Sequence, residues 1–321
     1  MNLISFFVFV VLQIIFLPIG LIGVLLVAYK QMVISKRLGV SQTAIEVLNG
    51  RWTMHVFGIR QDKAAYKLAG SMPNTSTIGL WLCLFPLWVK FRISSRYFGY
   101  PRVPKEGEEG IADIVVARTL YFDRIIERLA DDIEQFVVMG AGYDTRAFGE
   151  LKSRGLTFFE LDQPLTQDLK VASLRAADIN SSHVNFVPVD FSQESIFGKL
   201  IANGYDPKKR TIFLWEGVTL YLSEADVRKT LQDIKENAAP GSAVVADFYG
   251  ERMIRSGSGF VGRKALAYTN EEFGFGLPFS TNFENILKAF LDSEGLKLAQ
   301  TYFMGRASKK GPFMVVAEVD L

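Results

Sequence analysis

Cysteine and histidine are scarce in this chain of 321 residues. Cys83 is the only cysteine, and His55 and His183 are the only histidines. A single cysteine excludes an internal disulfide and a cysteine metal cluster, and it is typical of a reducing compartment. Two histidines are too few for a multi-histidine zinc or iron site. We therefore predict no metal ion.

An excess of charge is also lacking. The chain has 36 Lys and Arg against 34 Asp and Glu, so the formal net charge is +2. No strong electrostatic field of one sign results, and we predict no nucleic-acid partner. The length is enough to bury the core of one large domain or two small ones.

Charged residues are absent from the first 29 positions, and Lys30 is the first. About 20 apolar residues are enough to span a bilayer as a helix. Pro18, Gly20 and Gly23 are costly in a soluble helix but common in membrane helices. A cleaved signal peptide is the alternative, but it requires a basic start and a shorter apolar core. The sequence favours a transmembrane anchor over residues 1–29.

Basic residues follow this apolar segment at Lys30, Lys36 and Arg37. The positive-inside rule then predicts a single-pass membrane protein whose remaining chain is cytoplasmic. A second apolar stretch, IGLWLCLFPLWVKF (78–91), is shorter and contains Pro86. It is compatible with a buried core helix, a wall of a substrate pocket, or a segment at the membrane surface.

Residues 30–110 are predicted to form a helical cap and linker. Apolar and charged residues alternate at near-helical spacing over 41–73, and SMPNTS (71–76) is a break. The segment YPRVPKEGEEG (100–110) is the clearest linker, with two prolines, two glycines and a cluster of charges. The main domain is therefore predicted over 111–321.

Within 111–321, short apolar runs alternate with helical segments. A helix is predicted over 111–134 and another over 223–238, where Ser223 is the N-cap. Predicted strands cover 136–140, 156–162, 184–190, 211–217 and 242–250. Alternating strands and helices indicate an α/β, doubly wound, mostly parallel sheet, whose ligands bind at the carboxyl ends of the strands. Residues 296–320 are predicted to form an antiparallel hairpin at its edge.

The first predicted strand runs into FVVMGAGYDTRAFG (136–149), where Gly140 and Gly142 match the start of G-x-G-x-x-G. Thr145 stands where a dinucleotide fold has its third glycine. An unliganded tight turn is the alternative. Carboxylates follow the next strands: Asp162, Asp190 and Glu216 come directly after apolar runs.

A row of carboxylates would repel a pyrophosphate but would accept hydrogen bonds from a ribose diol and attract cations. S-adenosylmethionine carries a sulfonium, an ammonium and a ribose, and it has only one carboxylate. We therefore predict S-adenosylmethionine as the cofactor. Arg118 could pair with its carboxylate, although a solvated arginine on a helix face is the alternative.

The sequence resembles class I methyltransferases of the leucine carboxyl methyltransferase and polyketide O-methyltransferase family, which have a Rossmann-like fold. Five blocks between residues 111 and 250 carry the resemblance. They are ARTLYFDR, FVVMGAGYDTRAFG, FFELDQPLTQDLK, FVPVDF and FLWEGVTLYL. The cap segment GRWTMHVFGIR also looks like an upstream segment of some longer relatives.

The resemblance implies roles for particular positions. Gly140, Ala141 and Gly142 would line the methionine part of the cofactor, and Arg118 would bind its carboxylate. Asp162 with Gln163 would hold the ribose, Asp190 and Phe191 would face the adenine, and Glu216 would lie near the amino group and sulfonium. Tyr221 and Tyr249 are candidates for the acceptor pocket. Asp144 and Arg146 are either site residues or an internal ion pair, and Trp215 is predicted to be core.

Methyl transfer requires the nucleophile and the methyl carbon to be aligned at near-attack distance. A carboxylate acceptor needs no base, whereas a hydroxyl acceptor does. Base candidates are His55, His183, Asp247 and Tyr249, and none is assigned. The leading prediction is a membrane-anchored O-methyltransferase with a small, lipophilic acceptor; N- and C-methylation stay open. The alternatives are a nucleotide-cofactor oxidoreductase of the NAD type and a non-catalytic membrane scaffold.

Overall fold

A computed structural model describes residues 3–191, 194–257, 273–305 and 311–321. Its α-helices, in chain order, are α1 (Leu3–Ala28), α2 (Ser35–Leu38), α3 (Gln42–Val56), α4 (Lys63–Ser71), α5 (Thr77–Ser94), α6 (Ile114–Leu129), α7 (Pro164–Ala176), α8 (Ile196–Ala202), α9 (Glu224–Asn237), α10 (Glu251–Gly257) and α11 (Phe283–Ser293). A π-helical segment, Tyr29–Ile34, joins α1 to α2.

Within the described ranges, seven strands form one sheet. They are β1 (Gln135–Met139), β2 (Thr157–Asp162), β3 (Val184–Pro188), β4 (Thr211–Trp215), β5 (Ala243–Tyr249), β6 (Lys297–Met304) and β7 (Met314–Asp320). The strand order is β3-β2-β1-β4-β5-β7-β6; the first five strands are parallel, and β7 is antiparallel to both neighbours. The doubly wound, mostly parallel sheet with a C-terminal hairpin is therefore confirmed. The hairpin's loop, 306–310, lies outside the described residues.

The central strands are buried on both faces. All residues of β1, β4 and β5 are buried. Successive side chains of a strand point to opposite faces, so Val137 and Met139 join one core cluster while Phe136 and Val138 join the other. This double burial explains why the parallel strands read as continuous apolar runs rather than as alternating ones.

The helix predictions hold with shifts at their ends. The Ser223 hydroxyl accepts a hydrogen bond from the Asp226 amide and caps α9, as predicted. The helix predicted over 111–134 is α6, preceded by one 3-10 turn. The helical region 41–73 is divided into α3 and α4, because the Asp62 side chain caps a new helix by accepting from the Ala65 amide. The cap, linker and domain boundaries themselves stay a prediction.

The second apolar stretch forms α5, which is longer than the 14-residue run that marks it in the sequence. Ser76 caps its start, and it continues for 18 residues to Ser94. By length and composition alone, α5 and the continuous helix of residues 3–38 could cross a membrane. Buried core helices and signal sequences pass the same test, so this is weak evidence.

Candidate cofactor site

The loop after β1 requires glycine at its first position. Gly140 has φ +67°, a conformation that L residues rarely adopt, and Gly142 has φ +47°. A Cβ atom on Gly140 would lie 2.5 Å from Cγ2 of Val218, which follows β4. Between the two glycines, the Ala141 amide donates to the Leu161 carbonyl on β2 at 2.9 Å. The bare backbone of this loop thus lies between the ends of β2 and β4.

We expect Gly140→Ala to destabilise the protein more than Gly155→Ala. Both positions have left-handed backbone, which costs an L residue about 1–2 kcal/mol. Only Gly140 adds a close contact, because a Cβ on Gly155 would meet no atom within 4 Å. Overpacking of this kind costs about 1–3 kcal/mol. Urea unfolding of the two variants measures the difference, and equal losses would contradict the tight packing of this loop.

Asp162, the last residue of β2, binds the glycine loop directly. Its carboxylate accepts hydrogen bonds from the backbone amides of Gly142 and Gln163. Burial raises the pKa of Asp162, and the two amide donors oppose that rise. The side chain of Gln163 is exposed at the start of α7. The loop glycines and the predicted ribose-binding acid are therefore neighbours.

The predicted adenine-side residues follow β3, which pairs with β2. The Val189 amide donates to the Asp162 carbonyl at 2.9 Å, so the chain leaves β3 beside Asp162. Asp190 and Phe191 come next and are half-buried, and the Asp190 amide donates to Glu194 Oε2 at 3.0 Å. The structure brings these two residues to the edge that carries Asp162. Residues 192–193 lie outside the described ranges.

Glu216, directly after β4, is surrounded by arginines. Its Oε1 accepts from Nε of Arg118 at 3.1 Å, and its Oε2 accepts from Arg51 at 3.1 Å and from Arg146 at 2.6 Å. Only 7% of its side chain is exposed. Burial opposes ionisation, but Arg146, Arg51 and Arg118 outweigh it and lower the pKa of Glu216 to about 2.

Asp144 and Arg146 form the internal ion pair that was one of the two sequence interpretations. Nη1 of Arg146 contacts Oδ2 of Asp144 at 2.5 Å, and Nη1 of Arg51 lies 2.8 Å from the same oxygen. Burial would raise the pKa of Asp144, yet Arg51 and Arg146 together hold it well below its usual range. Arg146 also bonds Asp123 on α6 at 2.8 Å. The network therefore anchors the glycine loop to α3 and α6.

Arg118 and Tyr249 contact each other on the other side of Glu216. Nη1 of Arg118 donates to the Tyr249 hydroxyl at 3.0 Å, and that hydroxyl donates to Asp247 at 2.9 Å. Asp247 also accepts from the Gly217 amide, at 2.9 and 3.0 Å. Burial raises the pKa of Asp247 to about 6, although Arg118 opposes the rise. Tyr249 is only 2% exposed, and its role in an acceptor pocket stays a prediction.

Helix α3 of the cap lies across this edge of the sheet. Thr43 Oγ1 is 3.0 Å from the Tyr221 hydroxyl, and Arg51 reaches Asp144 and Glu216. A Cβ on Gly142 would lie 3.3 Å from the Cβ of Ala44. The cap thus covers the glycine loop and supplies a charge to the site.

Comparison with known proteins finds a protein family that matches the part of the chain containing the glycine loop, Asp162 and Glu216. The leucine carboxyl methyltransferase family model matches residues 90–235. The family resemblance is confirmed. The leucine carboxyl methyltransferase match includes every predicted cofactor residue from Arg118 to Glu216, whereas Arg51 and Tyr249 lie outside it.

Curated relatives carry provisional names as S-adenosyl-L-methionine-dependent methyltransferases. YktD of Bacillus subtilis strain 168 is 32% identical over 143 residues, 43% of this chain and 46% of YktD. A protein of Mycobacteroides abscessus is 34% identical over 140 residues, 43% of this chain and 44% of the relative. The chain spans less than half the length of these relatives.

Solved structures are similar at a lower level. A DUF574 family protein from Streptomyces avermitilis has a TM-score of 0.47 and 14% identity, covering 64% of this chain and 83% of that protein. Magnesium protoporphyrin IX methyltransferase from Synechocystis, solved with bound S-adenosylhomocysteine, has a TM-score of 0.42 and 13% identity, covering 67% and 89%. Neither score reaches 0.5.

Several residues of the site escaped the sequence analysis. The ion network continues from Arg146 through Asp123 to Arg60, and Asp62 accepts from Thr145 at 2.7 Å. The signal that could have found Arg51 is the cap segment GRWTMHVFGIR, since a charged residue there stands among apolar neighbours. Trp215 is fully buried, so its prediction as core is confirmed.

The two histidines have structural contacts. His55 Nδ1 accepts from the Asp62 amide at 3.0 Å. His183 Nε2 is 2.8 Å from the Ala147 carbonyl, and its ring packs edge-on against Phe148 and Phe158. The contacts of His183 tie the start of β3 to the segment after the glycine loop.

Proposed function

We propose that this chain is an S-adenosylmethionine-dependent methyltransferase attached to a membrane, and that it methylates an oxygen of a small, lipophilic acceptor. The observation that carries the proposal is the bare glycine loop bonded to the Asp162 carboxylate at the carboxyl edge of the sheet. Such a loop and carboxylate suit a nucleoside ligand whose ribose hydroxyls donate hydrogen bonds. The family match over 90–235 supports the same cofactor.

The residues present fit S-adenosylmethionine at the nucleoside end. Asp162 is half-buried: its Oδ2 accepts from the Gly142 amide of the loop and its Oδ1 from the Gln163 amide, while the side chain still reaches solvent. Asp190 and Phe191 lie beside it, as an adenine contact would require. At the other end, Oε2 of Glu216 accepts from Arg51 and Arg146, whereas Oε1 accepts from Arg118 and keeps a lone pair for the amino group proposed to bind there.

Bound S-adenosylmethionine supplies an electrophilic methyl group on a sulfonium. The chain's own contribution is to hold the acceptor in line with that group and to exclude water. Arginines pair with Glu216 and Asp144, but the Asp162 carboxylate accepts from backbone amides and disfavours a pyrophosphate beside the glycine loop. This arrangement, with Thr145 in place of the third glycine, disfavours the nicotinamide alternative.

The contacts of the four base candidates favour a carboxylate acceptor over a hydroxyl. Asp247 accepts from Gly217 and Tyr249, and Tyr249 is bonded to Arg118. Each histidine makes a hydrogen bond to the backbone, His55 with the Asp62 amide and His183 with the Ala147 carbonyl. Since a carboxylate nucleophile is already ionised, it needs none of these side chains as a base.

The test is calorimetric titration of the full chain in detergent micelles with S-adenosylmethionine, S-adenosylhomocysteine and NAD in parallel. We expect micromolar binding of the two sulfur ligands and no binding of NAD. Binding of NAD alone would make the protein an oxidoreductase. Binding of none, by a sample whose circular dichroism shows it to be folded, would overturn the proposed cofactor and favour the scaffold.

A further inference from the structure

Helices α1 and α5 pack against each other as an antiparallel pair. A Cβ on Gly23 would lie 2.7 Å from the Gly79 carbonyl oxygen, so the two backbones are in direct contact there. The rings of Phe16 and Phe85 stack with centroids 5.0 Å apart, and Phe6 contacts Phe98 at 5.8 Å. The carboxyl end of α1 thus lies beside the amino end of α5, and the two helices run in opposite directions. The contact extends over the whole of α5.

The opposite side of α5 packs on the cap. Trp81 contacts Trp52 of α3 edge-on with centroids 5.5 Å apart, near the start of α5. Near its end, Phe91 contacts Phe57 at 5.8 Å, and the Tyr97 hydroxyl donates to the Phe57 carbonyl at 3.4 Å. Because both ends of α5 contact the cap, α5 lies along the surface of the globular part. It therefore separates that part from α1.

The outer face of α1 is apolar over its full length. Its exposed large apolar side chains are Leu3, Ile4, Phe7, Val10, Val11, Ile14, Ile15, Leu17, Leu21, Ile22, Val24, Leu25 and Leu26. This continuous surface far exceeds the scattered exposed apolar residues of a soluble protein. Its outward side chains lie on the side of the pair away from the cap.

Exposed cations lie at both ends of the helix pair. Lys36 and Arg37 follow the carboxyl end of α1, and Arg92 and Arg96 lie at the carboxyl end of α5. If α1 spanned a bilayer with α5 beside it, these two groups would be on opposite sides of the membrane. The Trp52 and Phe57 surface of the cap would also be brought to bilayer depth, where polar groups of the cap are costly.

From this geometry we infer that α1 lies in the plane of one leaflet, with α5 between it and the globular part, and does not cross the membrane. The partner is the surface of a bilayer containing anionic lipids, which both groups of cations face together. An open apolar groove of about 370 Å³ at the α1–α5 seam, lined by Phe16, Trp81, Leu82, Phe85 and Trp88, faces acyl chains in this orientation. The inference rests on the membrane attachment proposed above and replaces the single-pass orientation predicted from the sequence.

The test measures the depth of three positions on the outer face of α1. Leu3→Cys, Ile14→Cys and Leu25→Cys are made singly in the full chain with Cys83→Ser, because Cys83 is the only native cysteine. Each is labelled with a nitroxide and reconstituted in vesicles of phosphatidylcholine and phosphatidylglycerol. Electron paramagnetic resonance then gives the depth of each label. Ile201→Cys, on an exposed position of α8, is the control expected in water.

We expect the three labels on α1 to lie at one depth, within a few ångströms of each other. A spanning α1 would instead place Ile14 about 16 Å deeper than Leu3, since 11 residues of helix rise about 1.5 Å each. That result would overturn the in-plane orientation and leave the membrane attachment intact. Failure of the full chain to float with the vesicles would overturn both.

Discussion

Asp162→Ala is expected to weaken the binding of S-adenosylhomocysteine by at least tenfold. The carboxylate would lose its hydrogen bonds to the ribose and also its bonds to the amides of Gly142 and Gln163. Hydrogen bonds to a charged group contribute about 1.5–3 kcal/mol each, and 1.4 kcal/mol corresponds to a factor of ten in affinity. Calorimetric titration of the full chain measures the change.

Two further variants separate the ribose contact from the support of the loop. Asp168→Ala removes an exposed aspartate from α7, close in sequence, and should leave affinity unchanged. Asp162→Asn keeps one acceptor oxygen for the amides of Gly142 and Gln163 but loses the negative charge. Its affinity for S-adenosylhomocysteine should therefore lie between that of Asp162→Ala and that of the native protein. Native-like affinity in Asp162→Ala, with the fold intact, would remove Asp162 from the proposed site.

Glu216→Ala is expected to cost the protein about 3–5 kcal/mol in free energy of unfolding, the usual effect of removing one partner from a buried ion pair. Glu216 contacts Arg51, Arg118 and Arg146, and these guanidinium groups would be left with uncompensated charge. Urea unfolding at neutral pH measures the loss. Glu224→Ala, an exposed glutamate on α9 paired with Arg228, is the matched control and should lose at most about 1 kcal/mol. A small loss in Glu216→Ala would show that Asp144 and Asp247 neutralise the arginines without it.

The contribution of Glu216 to the free energy of unfolding depends on pH, and the pKa of Glu216 determines the direction of that dependence. The folded pKa of Glu216 is lowered to about 2, below the value of about 4.3 for an unperturbed glutamate. Its contribution is therefore fully present above about pH 4.3 and is lost as the pH falls toward 2. Glu216→Gln should lower stability at pH 7 and flatten the acid limb of the stability profile. An unchanged acid limb would contradict the low pKa.

The sequence alone was sufficient for the sheet and for the row of polar residues at its edge. Strands buried on both faces must be apolar runs, so β1, β4 and β5 are visible as such. Parallel strands end at one edge, so Gly140, Asp162, Asp190 and Glu216 were predicted to lie along that edge. The pairing of β1 with β2, which the structure shows, then brings the Asp162 carboxylate to the Gly142 amide.

Only the tertiary structure decided which arginines neutralise Glu216 and which side of α5 packs against α1. Arg51 and Glu216 are 165 positions apart, and the spacing of neither residue indicates the other. The side of α5 that faces α1 was equally hidden, because α5 is apolar around most of its circumference and periodicity cannot orient such a helix. Local patterns determine which segments are helix or strand, whereas long-range pairing depends on how the finished elements pack.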